Sequence, residues 1–170
     1  MTTSNEIWKE IDGFQTYSVS DLGRVRNDET MKILKGGKGA NGYIVVSLCK
    51  NGVKKTHCIH RLIAIAFIPN PDGKPCVDHR DNDKNDNRAM SLRWCTNEEN
   101  NRNAQVRSNN TSGIKGVSWF KRDSKWRAKI KVNGVDIHLG YFDKIEDAIL
   151  ARQTYAKEAF GEFVNDCETL

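Results

Sequence analysis

VDHRDNDKNDNRAMSLRWCTNEEN, residues 77 to 100, places an Asp-His pair, an Asn-rich loop, a short apolar run and the start of a helix in one stretch of chain. Asp78 supplies a hard carboxylate oxygen suited to a divalent cation. His79 beside it supplies a base that titrates near neutrality, and Asn100 adds an amide oxygen. One cation and one base are enough to hydrolyse a phosphodiester. Met90, Leu92 and Trp94 alternate with Ser91, Arg93 and Cys95, the period of a half-buried strand, which predicts a strand over residues 90 to 95. Thr96 followed by Glu99 has capping-box spacing, so a helix is expected to start there with Asn100 in its first turns. A strand ending near Asp78, a polar loop, a return strand and this helix make a ββα unit. Its spacing permits Asp78, His79 and Asn100 to surround one ion.

An isolated Asp-His dipeptide is ordinarily a surface accident. Here Asn87, Leu92, Arg93, Trp94, Thr96 and Asn100 stand in register around it, and the whole resembles the homing-type HNH endonucleases. The resemblance implies that Asp78 and Asn100 ligate one Mg²⁺ or Mn²⁺ while His79 activates the attacking water. It implies double-stranded DNA as substrate, cut or nicked near a recognised site. The family pattern also has an Asn just before the Leu-Arg-Trp run, where its side chain holds the loop carrying the catalytic His. That position is Ser91, which joins His79 as a catalytic position. A hydroxyl cannot offer a carbonyl acceptor and two amide donors together, so His79 is expected to be less firmly oriented and activity reduced. Asn85 and Asn87 lie elsewhere in the motif and are not read as replacements. The competing reading is a DNA-binding or regulatory protein derived from such a nuclease, with Ser91 as the trace of decay. A third, RNA binding, rests on charge alone and has no preference for duplex DNA.

The chain has 170 residues, enough for one ordinary domain or two small ones, with 38% hydrophobic content and three prolines. No apolar run approaches the roughly 18 residues of a membrane span, and Met1 to Glu10 has no signal-peptide pattern. A protein of the cytoplasm is therefore expected, in a bacterial host and encoded by a phage or mobile element if the resemblance holds. Cysteines at 49, 58, 76, 95 and 167 are odd in number and never form a C-x-x-C pair, which argues against a disulfide framework and against a zinc ribbon. His57, His60 and His138 have no ligand spacing with them, so zinc is not the expected metal.

The net charge of +5 is concentrated. Residues 111 to 142 hold Lys115, Lys121, Arg122, Lys125, Arg127, Lys129 and Lys131 against Asp123 and Asp136. Such a cluster is most often a solvated face. Here Arg127, Lys129 and Lys131 alternate with Trp126, Ala128, Ile130 and Val132, which predicts a strand with one cationic and one packing face. Asn133-Gly134 signals a tight turn, and Ile137 and Leu139 continue the apolar face while Asp136 and His138 join the charges. Asp143 with Glu146 is expected to cap a helix running to about Ala159, with Gly161 as its stop. Three strands backed by a helix resemble the Apetala-two or ethylene-response-factor DNA-binding domain, whose sheet lies in the major groove. Matching positions are Lys115, Ser118, Phe120, Lys129, Lys131, Asp136 and His138. Ser118, Asp136 and His138 replace family arginines and a tryptophan, so the binding mode carries over and the preferred sequence does not. Lys121, Arg122 and Arg127 complete the expected DNA-binding set. Trp119 and Trp126 are read as core.

In the N-terminal third, residues 6 to 27 resemble a modular motif that precedes HNH domains in mobile nucleases. Its expected core is Trp8, Ile11, Tyr17 and Val19, with Ser20 to Gly23 as a turn. Tyr43 to Cys49 and Val53 to Ile59 flank Asn51-Gly52, a hairpin signal, and His60 to Phe67 reads as a short apolar helix. His60 itself reads as structural or phosphate-contacting. Lys32 to Gly42 reads as a basic, glycine-rich loop, and residues 100 to 112 as linker with Arg102 and Arg107 interspersed. The expected organisation is α+β: the motif at 6–27, an HNH module at 43–105 with its ββα core at 76–105, a linker at 106–111, and a three-stranded antiparallel sheet plus helix at 112–164. One apparent active site per chain suits a monomer on DNA that nicks.

Overall fold

The computed structural model describes residues 6–103, 106 and 110–164; Arg107, Cys167 and residues 1–5 lie outside them, with parts of the sequence reading. The chain divides into two compact units at Thr96/Asn97. The first carries β1 (Trp8–Ile11), β2 (Phe14–Ser20), β3 (Val25–Asn27), β4 (Lys32–Ile33), β5 (Gly37–Lys38), β6 (Ile44–Lys50), β7 (Val53–Cys58), α1 (Ile59–Phe67), β8 (Cys76–His79) and β9 (Leu92–Cys95). The second carries α2 (Asn97–Asn103), β10 (Val117–Phe120), β11 (Lys125–Val132), β12 (Val135–Phe142) and α3 (Ile145–Phe160). No helix among the described residues is long and apolar enough to cross a membrane.

In the first unit the strands form sheets ordered β1-β2-β3-β4, β5-β6-β7 and β8-β9. Their inward residues share one core: Ile11, Tyr17, Val19 and Val25 from the N-terminal strands pack with Leu48, Ile59, Ile63, Val77 and Leu92. The N-terminal segment is therefore not a separate module, because its apolar face has no core except the one it shares with α1. Trp8, expected in that core, is half-buried with the Arg26 guanidinium 4.3 Å above its ring. The β6–β7 hairpin turns at Asn51 (φ 51°) and Gly52 (φ 76°), the pair of left-handed conformations its two-residue turn demands. Lys32 to Gly42 contains the two short strands β4 and β5 rather than an open loop.

The strand expected over residues 90 to 95 begins only at Leu92. Ala89–Ser91 form a 3₁₀ turn, closed by Ser91 N–H donating to the Arg88 carbonyl at 2.9 Å. That turn sends Met90 into solvent, 76% exposed, so the alternation that included it ran one step too far. Antiparallel pairing then sets Val77 opposite Trp94, Asp78 opposite Arg93 and His79 opposite Leu92. Across the ladder Arg93 grips Asp78 by one oxygen, with Nε and an Nη 2.9 and 2.8 Å from Oδ2 and both side chains buried.

In the second unit the sheet runs β10-β11-β12 with α3 behind it. Val117, Ala128 and Ala148 form one core cluster, and Ile130, Ala156 and Phe160 another. The pairs Ser118–Arg127–Tyr141, Lys129–His138 and Lys131–Asp136 lie on the opposite face. Trp126 packs on the core, whereas Trp119, paired with it on the same face, is 45% exposed beyond the reach of α3. Asp143 does not cap α3: the N-cap is Lys144, without a side-chain cap bond, and Asp143 Oδ1 pairs with Lys125 Nζ at 3.3 Å. The helix runs to Phe160 and stops at Gly161 (φ 52°).

Removing one partner of a buried ion pair costs about 3–5 kcal/mol. Arg93→Met is expected to destabilise the protein on that order, seen as a lower denaturation midpoint in urea; an unchanged midpoint would mean that the pair does not secure the β8–β9 ladder.

Candidate active site

β8 ends by presenting Asp78 and His79, and the loop that follows folds on its own polar groups. Asn82 N–H donates to the His79 carbonyl at 3.0 Å, with Asn82 left-handed at φ 58°. Asp83 Oδ1 accepts from both the backbone N–H and the Nδ2 of Asn85 at 2.9 Å. Asn87 N–H and Nδ2 both donate to the Asn85 carbonyl at 3.1 Å. These bonds turn Asn87 inward, 6% exposed, with Oδ1 3.4 Å from His79 Nε2. A carbonyl oxygen only accepts, so this contact favours the tautomer with the proton on Nε2 and the basic lone pair on Nδ1.

Ser91, at the position where the family pattern has an asparagine holding the loop that carries His79, does reach that loop. Its hydroxyl donates to Asp86 Oδ2 at 2.7 Å. Asp86 also accepts from Arg88 Nε at 2.8 Å, and that bond, followed by the one from Ser91, holds its carboxyl far below the usual range against the opposing effect of burial. Ser91 therefore closes the loop, and the amide facing His79 comes from Asn87. The sequence placed Asn87 in register without revealing that the loop bonds would point it at the ring.

The N-terminal strands support this loop from below. Ala89 N–H donates to the Asp21 carbonyl at 2.8 Å, and Gly23 is left-handed at φ +90°. A Cβ on Gly23 would fall 3.1 Å from the Asn87 carbonyl carbon, so the Ser20–Gly23 turn needs glycine to lie this close.

The other side of the His79 ring meets Tyr43, stacked at 5.8 Å and 19°, and His60 at 5.1 Å. Lys84 Nζ lies 4.6 Å above Tyr43 and donates to the Asn41 carbonyl at 3.0 Å. His60 is 5% exposed, and burial, then the nearness of His79 and Arg61, lowers its pKa to about 4. It is a neutral wall of the site. Burial also lowers His79 below its ordinary 6.5, with the Asn87 hydrogen bond as the chief opposing effect. Tyr43 was not legible as a site residue, and His60, read as structural or phosphate-contacting, gave no hint that the two meet one ring.

Asn100 lies on α2, in the second unit, and Asp78 on β8, in the first. Among the described residues no three His, Cys, Asp or Glu side chains gather as a metal site, and Cys49 and Cys58 are free thiols. The donors the motif offers, a carboxylate and an amide oxygen, are hard ones that suit Mg²⁺ or Mn²⁺ and leave most of the coordination shell to water and substrate.

Residues 6–49 match the NUMOD4 motif and residues 57–102 an HNH endonuclease family model. The chain belongs to the HNH endonucleases and carries a NUMOD4 motif at its N-terminal end. It is 36% identical over 139 residues to an uncharacterized HNH endonuclease of Acanthamoeba polyphaga mimivirus, covering 82% of this chain and 37% of that protein. It is 38% identical over 101 residues to the DNA endonuclease I-HmuI of Bacillus phage SP01, covering 59% of this chain and 58% of that one. Protein 3.8 of Escherichia phage T7 is 31% identical over 97 residues, covering 57% of this chain and 72% of that one. A solved structure of DNA binding and cleavage by I-HmuI aligns with a TM-score of 0.54 at 28% identity, over 91% of this chain and 83% of that one.

In an NMR titration His79 is expected to protonate below pH 6.5. Because the Asn87 bond favours the charged ring, Asn87→Ala is expected to lower that value further, and Ser91→Ala to leave it in place. A shift on Ser91→Ala and none on Asn87→Ala would reverse the assignment.

Proposed function

We propose that this chain is a metal-dependent DNA endonuclease that nicks duplex DNA, with His79 as general base. The observation that carries the reading is a buried imidazole held by Asn87 at Nε2, 3.4 Å away, on a ladder that also presents Asp78. Asp78 and Asn100 would hold one Mg²⁺ or Mn²⁺. Such a cation, when bound, neutralises charge on the scissile phosphate and the leaving oxygen. His79 Nδ1 takes the proton from the attacking water while Asn87 steadies the imidazolium that forms. Arg93 fixes the rotamer of Asp78, so its carboxylate is oriented before anything binds. Tyr43 and His60 close off the back of the ring and keep His79 from swinging.

The C-terminal unit is proposed to seat the duplex on the outer face of its sheet, in the manner of the Apetala-two domain. The register supports this, since Ser118, Arg127, Lys129, Lys131 and His138 share that face. Phe120, next along β10, has the Arg127 guanidinium 5.4 Å above its ring, and Lys121 and Arg122 occupy the turn beyond it. Phosphate contacts from these cations would give salt-dependent affinity, and the few side chains reaching base edges would set sequence choice. The alternative reading, a DNA-binding or regulatory protein in which Ser91 marks lost activity, predicts binding of duplex without cutting. One His79 per chain favours a monomer that cuts one strand, acting in the cytoplasm of a phage's bacterial host.

The test is conversion of supercoiled plasmid carrying candidate target DNA to the open circle with Mg²⁺ or Mn²⁺, and with chelator. The parent is expected to nick only with metal, and His79→Ala to lose about 10²–10⁴-fold in rate. Nicking in chelator, or nicking undiminished in His79→Ala, would defeat the proposal.

A further inference from the structure

The second unit contains a cleft of about 580 Å³ lined by residues of α2, β11 and α3. Among the described residues Arg102, Lys115, Lys131 and Arg152 line it, with Glu98 as the one carboxylate. It is not a loose solvated patch. Arg102 and Arg152 lie 4.6 and 5.8 Å from the Phe160 ring centre, and Arg152 is 5% exposed. The Arg102 head is held by Glu98 at 2.7 Å and Asn133 Oδ1 at 3.3 Å, yet its Nε is buried and finds no hydrogen-bond partner among the described residues. Lys115 Nζ donates to the Arg102 carbonyl at 2.8 Å, which pins a third cation to the same wall.

The backbone is shaped around these groups. Gly116 is left-handed at φ +72°, and a Cβ there would fall 2.1 Å from the Lys129 carbonyl oxygen and 2.8 Å from Arg152 Nε. The chain forgoes a side chain so that Arg152 can lie against the main chain. Cations gathered in one cleft raise the local positive potential and attract an anion. Guanidinium forks match the oxygens of a tetrahedral anion, and an ammonium adds a point charge beside them. Lys131 also belongs to the basic row Arg127–Lys129–Lys131 along β11, so the cleft continues that row past the place where β10 stops pairing at Ala128.

We propose that this cleft holds a backbone phosphate of duplex DNA. The inference rests on the DNA-binding reading and adds a second anchor to it, away from the sheet face. A phosphate held there sets register rather than sequence choice. It also ties the DNA to α2, the helix that carries Asn100.

The test uses the full chain and a Glu98→Gln/Arg102→Gln variant, which leaves net charge unchanged. Binding of a fluorescent duplex is followed by anisotropy over a range of salt. The variant is expected to bind about tenfold more weakly at moderate salt, with a salt slope shallower by about one. A change in overall field alone would leave it equal to the parent, and equal affinity and slope would overturn the proposal. A parent that fails to bind duplex would defeat the DNA reading and the cleft with it, a result told apart by the parent's own curve. A second measurement needs no variant: the arginine Nε–H NMR signals of the parent, titrated with the same duplex. Shifts of Arg102 and Arg152 are expected, and shifts confined to Arg122 and Arg127 would overturn the assignment.

Discussion

The ion pair between Asp78 and Arg93 is the constraint on which the site depends. It spans the two-stranded β8–β9 ladder at the point where β8 delivers its chemical groups. Two strands alone make a marginal sheet, so this pair depends on a buried charge interaction and on Val77 and Leu92 entering the common core. The same contact orients Asp78 through Oδ2. Stability and preorganisation are thus served by one bond, and the ladder cannot slip by a residue without turning Asp78 to the other face and separating it from Arg93.

His79 is held by a different kind of support. Its ring is bracketed by Asn87 on one nitrogen and by Tyr43 and His60 on its faces. Asn87 in turn depends on a loop stitched by Asp83, Asn85 and Asp86, and on the Ser20–Gly23 turn pressed beneath it. The N-terminal motif therefore has a mechanical part in the site: it is the floor under the loop that orients His79. This explains why it shares a core with the nuclease elements instead of forming a module of its own.

Much of this was legible from residue order, because the informative features are local. Asp78-His79 at a strand end, the Asn51-Gly52 and Asn133-Gly134 turns, and the alternation along β11 each act through neighbours in sequence. What could not be read depends on contacts distant in sequence or on loop geometry. Met90 fits the strand alternation, but the 3₁₀ turn before Leu92 ejects it. Asp143 has cap chemistry, yet Lys125 claims it and the helix starts after Lys144. Ser91 sits where an asparagine was expected, and only the folded loop shows that its hydroxyl serves Asp86 while Asn87 serves His79. Tyr43 and His60 reach the ring from a separate sheet and helix, a meeting that no periodicity encodes.

His79 is proposed as the base, its pKa lowered by burial and its ring steadied by Asn87. The most direct measurement is the single-turnover cleavage rate as a function of pH at saturating metal. Since burial lowers the His79 pKa below 6.5, the neutral ring persists into mildly acid solution, and the rate should fall only below that value. The acid limb should be missing from the residual activity of His79→Ala. A parent profile flat across the acid range, or one that His79→Ala reproduces at full rate, would contradict the account.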